Sequence, residues 1–393
     1  MKMKNIIGIL SLVLLTACSS DVAPTNGGVR KAIGLSVEEA VACEKNNVFG
    51  IDAFRAACAV SESNNNVLIS PLSVSMFLGM RANYSSEDTK RQIVEALGYD
   101  NIDAFNSLNA KLLKELGGLD RRTTINLANS VWYDGRYEVK GDVYAALSKY
   151  YMADFFNCEP TASATKTKIA KWISDNSKNC LGYAPDDFTY LVMNVLYFNG
   201  TWTDKFEKKQ TQCLTFKGRD KSTVVDMMHR SGYELVGASA DFEVCCRDFG
   251  NGAYSCTFVL PLEGVDIDEL SRELTAADLS SVQMKMYLTE LYMPKFQLSD
   301  DFADFDSFLR QIGISHFGGS ILEGYDGGAP MFEHKTYLKI NEEGATAASM
   351  TAETDLLLPV DGVWNFRLDR PFLFFINERS TGACILAGKV VNL

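Results

Sequence analysis

Histidines are the first side chains to consider for acid–base chemistry, and the chain has only three, His229, His316 and His334, far apart in sequence. None belongs to an HExxH motif or another close pair, so their spacing indicates no zinc site. The chain also contains neither a G-x-S-x-G elbow nor a P-loop. A Ser-His-Asp triad can assemble from distant residues, with His334 as the candidate base. An enzyme therefore remains a distant alternative, and we predict no catalytic residue, metal or cofactor.

The segment that follows His334 changes character within a few residues. Buried and exposed positions alternate over residues 336–341 with the period of a half-buried strand. Two carboxylates and a glycine then end the alternation, and small residues follow: Glu342, Glu343, Gly344, Ala345, Thr346, Ala347 and Ala348. An apolar cluster at 356–360 and a very apolar strand from Pro371 come next. Because long loops in compact domains are usually functional, this order indicates a functional loop. The alternative is a helix over 342–348 followed by a surface loop.

Further motifs occur in a fixed order along the chain. They are N-x-x-x-S-P-x-S at 66–73, N-x-x-x-F-x-G-x-W-x-x-x-F at 194–206, FVLP at 258–261, YMPKF at 292–296, a stretch at 309–317 with Ile312 in a leucine position, and RPF at 370–372 leading to GKV at 388–390. Together they resemble the serpin family, whose members trap proteases by inserting a loop into a sheet. The resemblance spans about residues 45–393 and rests on several motifs rather than one.

The resemblance implies an α+β serpin fold, with large mixed or antiparallel β-sheets, surrounding helices and an exposed reactive-centre loop at about 344–365. The length of 393 residues and the 47% hydrophobic content suffice for a large core. No internal linker or repeat divides the chain, so we predict a single domain over residues 36–393.

The expected function is that of a suicide-type protease inhibitor. A target protease attacks the loop and forms an acyl-enzyme, and the cleaved loop enters the central sheet before the ester is hydrolysed. Residues 345–352 contain neither a charge nor a proline. A buried unpaired charge or a missing ladder donor would oppose insertion, so this composition favours an inhibitor. The alternative is a non-inhibitory serpin-fold protein that acts as a binding module or a substrate.

Three positions are candidates for the cleaved bond. The resemblance implies that residues 342–348 are the hinge of the loop. Counting from this hinge places cleavage after Leu358, but Pro359 would then follow the bond directly. Counting back from Pro371 places it near Val360, and Leu357 is the compromise. Every option offers an apolar side chain immediately before the cleaved bond, which suits chymotrypsin-, elastase- or subtilisin-like proteases. Papain-like cysteine proteases, which recognise an apolar residue one position further upstream, are also compatible.

The resemblance also implies two polar contacts that control opening of the sheet. Residues matching Ser70, Ser73, Asn194 and His334 form a cluster beneath the central sheet, and we favour this role for His334 over catalysis. Residues matching Glu342 and Lys295 form an ion pair where the loop enters the sheet, near Trp202. We expect a Glu342→Lys variant to slow trapping and to promote polymerisation.

The first residues predict export and anchoring. Two lysines precede an apolar stretch at 6–15, which is too short to span a membrane and is typical of a signal peptide over residues 1–17. Leu-Thr-Ala-Cys at 15–18 resembles the bacterial lipobox, which implies lipid attachment at Cys18, a tether over 18–35 and sorting to the outer membrane, facing the periplasm or the cell surface. Several acyl chains would anchor the domain firmly. The alternative is ordinary secretion, with no role for Cys18.

Charge and cysteine content exclude other classes of protein. The net charge is −12, whereas nucleic-acid binding needs a basic patch. Basic residues at 111–122 stand among acidic ones, so we expect no glycosaminoglycan site there. Nine widely spaced cysteines remain besides Cys18. They do not resemble a disulfide scaffold, although one incidental disulfide stays open. The expected partner is a protease, and the protein is expected to be a monomer.

Overall fold

The computed structural model of the protein describes residues 29–182, 188–300, 305–315, 318–325, 336–344 and 360–393. Within these ranges the α-helices are α1 (Val37–Val60), α2 (Pro71–Ala82), α3 (Glu87–Ala96), α4 (Ile102–Glu115), α5 (Gly141–Tyr151), α6 (Ser163–Asn176), α7 (Ile267–Glu273), α8 (Ala276–Ser281) and α9 (Phe305–Gln311). None of the helices in the described ranges is both long and apolar enough to cross a membrane.

The strands are distributed along the whole chain. They are β1 (Val67–Ile69), β2 (Thr123–Asp134), β3 (Asp154–Cys158), β4 (Tyr190–Gly200), β5 (Gln212–Lys217), β6 (Ser222–Ala238), β7 (Phe242–Phe249), β8 (Tyr254–Pro261), β9 (Lys285–Pro294), β10 (Phe296–Asp300), β11 (Thr336–Ile340), β12 (Val360–Arg367), β13 (Phe372–Glu378) and β14 (Cys384–Val390). Helices and strands thus alternate irregularly, which confirms the predicted α+β class.

Three sheets form from these strands. The largest has the order β1-β14-β13-β8-β7-β6-β9-β12, with β5 pairing with β6. A three-stranded sheet has the order β3-β2-β4, and β10 pairs with β11. The antiparallel ladder between β2 and β4 runs from Thr123–Gly200 to Tyr133–Tyr190, so the end of β4 lies next to the start of β2.

Helix α2 lies at the centre of the molecule. Every residue from Pro71 to Ala82 is buried, including the polar Ser73 and Ser75 and the charged Arg81. Ser70 caps its first turn by accepting a hydrogen bond from the Ser73 amide at 3.2 Å, and Pro71 occupies a position where a missing N–H is tolerated. The helix packs between α1 and strands β4 and β14. The Ser-Pro pair at 70–71 therefore lies at the start of a buried helix.

Strands β4 and β11 form neighbouring edges of two separate sheets. Strand β11 has the predicted alternation, with Thr336, Leu338 and Ile340 buried. Over the described residues, β4 and β11 share no hydrogen-bonded ladder, and the two segments meet just beyond both strands, at a bridge between Thr201 and Gly344. This bridge joins the two sheets at one end of the gap between the edges of β4 and β11, which we call the divide.

Strand β12 begins earlier than the sequence indicates. It runs parallel to β9 from Val360, which pairs with Tyr287, whereas the predicted reactive-centre loop extends to about residue 365. A bulge between Val360 and Val363, with Gly362 at φ +118°, interrupts the two-residue alternation by which a strand is recognised. Strand β12 thus occupies the end of the range that was predicted for the loop.

Candidate functional site

A tight turn follows β11 and forms the hinge of the predicted loop. The Gly344 amide donates to the Asn341 carbonyl at 3.1 Å, and the Glu343 amide donates to the Asn341 side chain at 3.0 Å. Gly344 has φ +82°, a conformation that residues with a Cβ rarely adopt. A Cβ on Gly344 would overlap the Trp202 amide nitrogen and lie 2.8 Å from the Gly200 carbonyl oxygen. Glycine is thus required by both backbone conformation and space.

The segment after β4 binds the carbonyl groups of this turn. The Trp202 indole N–H donates to the Asn341 carbonyl at 3.0 Å, and the Trp202 amide donates to the Glu343 carbonyl at 3.1 Å. The Phe206 amide donates to the Glu342 carbonyl, also at 3.1 Å. We call residues 341–344 with these contacts the closed hinge. Its hydrogen bonds hold residue 344, the last before the predicted small-residue segment, against the end of β4.

The structure brings Glu342 and Lys295 together at the hinge. Lys295 Nζ lies 3.3 Å from Glu342 Oε1, and Thr211 donates its hydroxyl to the same oxygen at 2.9 Å. Burial raises the pKa of Glu342, but hydrogen bonds from the backbone and Thr211, with the charge of Lys295, outweigh it and hold that pKa below its usual value. The carboxylate is therefore ionised at neutral pH, although its side chain is only 8% exposed.

Glu343 makes a second set of ion pairs on the outer side of the hinge. Its carboxylate oxygens lie 2.7 Å from Lys205 Nζ and 3.3 Å from Lys208 Nζ. Hydrogen bonds from these lysines lower the pKa of Glu343. Both lysines come from the segment between β4 and β5, so Glu343 ties the hinge to that segment. Pairs exposed to this degree contribute about 0–1 kcal/mol each.

Trp202 is fully buried beneath the hinge. Its ring stacks on Phe249 with the ring centroids 4.3 Å apart. The guanidinium of Arg247 lies 5.0 Å from the Trp202 ring and 4.5 Å from the Phe206 ring, at distances typical of cation–π contacts. Arg247 Nε also donates to Glu234 at 3.3 Å, which places a buried ion pair under the aromatic rings. Burial lowers the pKa of Arg247.

Sequence reasoning missed several of these residues. Lys205 and Thr211 contact the hinge glutamates, whereas Phe249, Arg247 and Glu234 lie around Trp202 beneath the hinge. No local spacing marks any of the five. Lys205 lies inside the 194–206 motif at a variable position. Only the register of β6 and β7 brings Glu234 and Arg247 together.

Two of the buried polar atoms that lack a partner among the described residues belong to predicted site residues, one on α2 and one on β4. They are Ser73 Oγ and Asn194 Oδ1. The other amide atom of Asn194, Nδ2, donates to Asn129 at 2.7 Å, and Ser70 donates its hydroxyl to the Ile385 carbonyl at 2.8 Å. Buried polar atoms are normally hydrogen-bonded, so Ser73 and Asn194 offer two sites for a further polar side chain.

Several predicted site residues lie outside the described residues. They are Cys18, His334, Ala345, Thr346, Ala347, Ala348, Leu357 and Leu358. The structure does describe all nine cysteines from Cys43 to Cys384, each as a free thiol. Six of them are buried, and burial raises the pKa of Cys58 and of Cys384 to about 12. These six pack as small apolar side chains, as predicted.

A Glu342→Gln variant tests the importance of the buried carboxylate. It keeps the size of the side chain but removes the charge that faces Lys295, and we expect a loss of about 1–3 kcal/mol in the free energy of hinge opening. Hydrogen–deuterium exchange of the Phe206 amide, which is bonded to the Glu342 carbonyl, measures this loss.

The matched control is Asp226→Asn, since Asp226 is the other carboxylate bound to Lys295, at 2.8 Å, but its side chain is 51% exposed. We expect this change to lower the free energy of hinge opening, measured by exchange of the Phe206 amide, by less than about 1 kcal/mol. Equal effects of the two variants would show that burial of Glu342 has no part in hinge closure.

Comparison with known proteins identifies the class to which this fold and hinge belong. The family model described as serpin (serine protease inhibitor) matches residues 44–393. The chain therefore belongs to the serpin family, and its serpin fold is confirmed. Members of this family are generally protease inhibitors rather than enzymes, and some are not inhibitory.

Individual relatives are distant from this chain in sequence. The leukocyte elastase inhibitor of Equus caballus is 27% identical over 380 residues, covering 88% of this chain and 97% of that protein. The thermophilic serpin tengpin in its native state has a TM-score of 0.76 at 21% identity, covering 92% of this chain and 96% of that one. Human thyroxine-binding globulin complexed with its ligand has a TM-score of 0.77 at 20% identity, covering 91% and 99%. At such identities the two structures show the fold alone.

Proposed function

We propose that this protein is a suicide-type inhibitor that traps a serine protease, or a papain-like cysteine protease, as an acyl-enzyme. The observation that carries the proposal is the closed hinge at the end of the divide between β4 and β11. The chain after Gly344 starts where an added strand would enter between these two edges. Insertion of residues from 345 onward would join the two sheets into one.

The energetics of a sheet edge support insertion. Over the described residues the facing edges of β4 and β11 share no ladder, so their backbone groups can bond to an added strand. A net contribution of about 0.5–1.5 kcal/mol per hydrogen bond makes a long insertion strongly favourable. The small, uncharged residues at 345–352 can be buried on either side of the sheet without an unpaired charge. Glu353 and Asp355 would lie on the same face of the inserted strand, and that face is expected to be exposed to solvent.

The bond that the protease cleaves is proposed to lie at Leu357 or Leu358. Val360 is paired with Tyr287 in β12, and a protease binds its substrate as an extended segment free of other strands. Cleavage after Val360 would require the start of β12 to separate from β9 first. An apolar residue before the bond suits chymotrypsin-, elastase- or subtilisin-like enzymes.

We also propose that His334 completes the polar cluster beneath the sheet. The free sites on Ser73 Oγ and Asn194 Oδ1 suit an imidazole, which offers both a donor and an acceptor. A satisfied buried network resists rearrangement, so this cluster would oppose premature opening of the sheet. A His334→Ala variant is expected to insert its loop spontaneously, which a shift in mobility on native gels would detect.

The proposed location is the outer membrane, with residues 1–17 removed and lipid attached to Cys18. The support is the apolar stretch at 6–15 followed by the lipobox-like residues 15–18. Incorporation of labelled palmitate into the wild-type chain but not into a Cys18→Ser variant would support anchoring. Equal release of both chains into the medium would favour ordinary secretion.

Trapping is tested by incubating the protein with chymotrypsin, pancreatic elastase, subtilisin and papain, followed by denaturing gels and mass spectrometry. We expect a covalent complex that survives boiling in detergent, together with a released peptide whose first residue identifies the cleaved bond. Cleavage in the loop without a complex from any protease would instead favour the non-inhibitory alternative, a binding protein or a simple substrate.

A further inference from the structure

A short segment that precedes α1 is fixed to the core of the protein. We call residues 29–33 the entry strap, which precedes α1. Its anchor is Ile33, whose side chain is 4% exposed and whose amide donates to Ser380 Oγ at 2.9 Å. Ser380 in turn donates to the carboxylate of Glu378 at 2.7 Å, and Glu378 is fully buried. The strap is thus held by both apolar burial and a hydrogen-bonded chain.

The entry strap also contacts the turn between β7 and β8. Asn251 Nδ2 in this turn donates to the Val29 carbonyl at 3.4 Å and to the Leu119 carbonyl at 3.0 Å. Arg30 runs beside the same turn, since a Cβ on Gly252 would lie 3.8 Å from Arg30 Cδ. The positive charge of Arg30 also acts on Asp248 at the start of the turn. Strap and turn are therefore joined by one hydrogen bond, by packing and by charge.

The same turn also binds the segment after β4 that carries the hinge contacts. The Gly250 amide donates to the Thr201 carbonyl at 2.6 Å, and Thr203 donates its hydroxyl to the Gly250 carbonyl at 2.9 Å. The Thr203 amide bonds to the Asp248 carbonyl at 2.8 Å. Thr201 itself forms the bridge to Gly344. Among the described residues, one chain of contacts thus runs from the entry strap through the β7–β8 turn and Thr201 to the hinge glycine.

We propose that the entry strap keeps the hinge closed by fixing the β7–β8 turn against Thr201 and Thr203. Loosening the strap would free the turn, weaken the Thr201–Gly344 bridge and raise the population of the open hinge. Energetic coupling of this kind passes through contiguous packed and hydrogen-bonded groups that bias an element with two states, and here that element is the hinge. The consequence for the rate of loop insertion rests on the proposed function.

An Ile33→Ala variant of the whole protein tests this coupling. It leaves the turn and the hinge chemically unchanged but removes most of the buried side chain that anchors the strap. We expect the peptides that contain Trp202 and Gly250 to exchange amide hydrogens roughly five- to a hundredfold faster than in the wild type, while peptides from the β2–β4 ladder stay unchanged. Fluorescence of the buried Trp202 gives a second measure of the same opening.

The matched control is Ile93→Ala, which makes the same change at a fully buried isoleucine of α3. Faster hinge exchange in Ile33→Ala than in Ile93→Ala supports the coupling, whereas equal exchange in the two variants would overturn it. No protease takes part in this comparison. A chain that traps no protease would therefore contradict the proposed function and leave the test of the strap intact.

Discussion

Replacing Gly344 with alanine is expected to open the hinge. The alanine would have to adopt a φ near that of Gly344, +82°, and its Cβ would overlap the Trp202 amide nitrogen. Backbone strain together with the loss of the Thr201 bridge should lower the free energy of hinge opening by about 2–4 kcal/mol. Exchange of the Trp202 amide should therefore be faster by roughly 30- to 700-fold, at tenfold per 1.4 kcal/mol.

Gly264→Ala separates strain from steric overlap. Gly264 has φ +90°, and nothing lies within 4 Å of the position that its Cβ would take. This variant should lose about 1 kcal/mol of overall stability through strain, with no change at the Trp202 amide. If Gly344→Ala leaves that amide as protected as in the wild type, the closed hinge does not depend on glycine at this position.

The hinge variant also connects stability with function. In the proposed mechanism the closed hinge holds the loop outside the sheet until a protease cleaves it. A Gly344→Ala chain should therefore lose its ability to form covalent complexes during storage faster than the wild type does. A population shift of this kind follows from the differential stability of the two hinge states.

Local sequence patterns predicted those parts of the site whose structure depends on local interactions. The alternation at 336–340 reproduces β11 with its buried face, because strand periodicity is a property of neighbouring residues. The Ser-Pro sequence at 70–71 places the start of α2, because capping and the fixed φ of proline act within one turn. The glycine after two glutamates marked the hinge for the same reason.

The rest of the site depends on contacts that no local pattern records. Lys205 and Lys208 reach Glu343 only because the segment after β4 folds back over β11. Arg247 lies under Trp202 because the registers of β6, β7 and β8 are fixed by the whole sheet. The start of β12 was missed because a bulge at Gly362 breaks its alternation. Tertiary packing thus decides what short-range propensity leaves open.

The second large effect is expected at a buried ion pair far from the hinge. Lys389 on β14 is fully buried, and its Nζ lies 2.7 Å from Asp268 Oδ1 on α7. Arg219, in the loop between β5 and β6, also pairs with this carboxylate. Asp268→Asn leaves the charge of Lys389 buried without its counterion. We expect a loss of about 3–5 kcal/mol in the free energy of unfolding, measured by urea denaturation at neutral pH.

Asp175→Asn is the control for the chemical change itself. Asp175 pairs with Lys171 at 2.6 Å, but the two side chains are 61% and 72% exposed. Since an exposed pair contributes about 0–1 kcal/mol, the free energy of unfolding of this variant should be within about 1 kcal/mol of the wild-type value. Equal losses in the two variants would show that burial does not set the strength of the Asp268 pair.

The pH dependence provides an independent check on Asp268. Burial raises the pKa of this carboxyl, but hydrogen bonds from Lys389 and Arg219 outweigh it and lower the pKa from 3.8 to about 2. A lowered folded-state pKa means that the stabilisation is present above pH 3.8 and is lost as pH falls towards 2. The difference in stability between the wild type and Asp268→Asn should therefore be constant near neutrality and shrink across this acidic window. A difference that persists unchanged down to pH 2 would mean that the charge of Asp268 is not what stabilises the contact between α7 and β14.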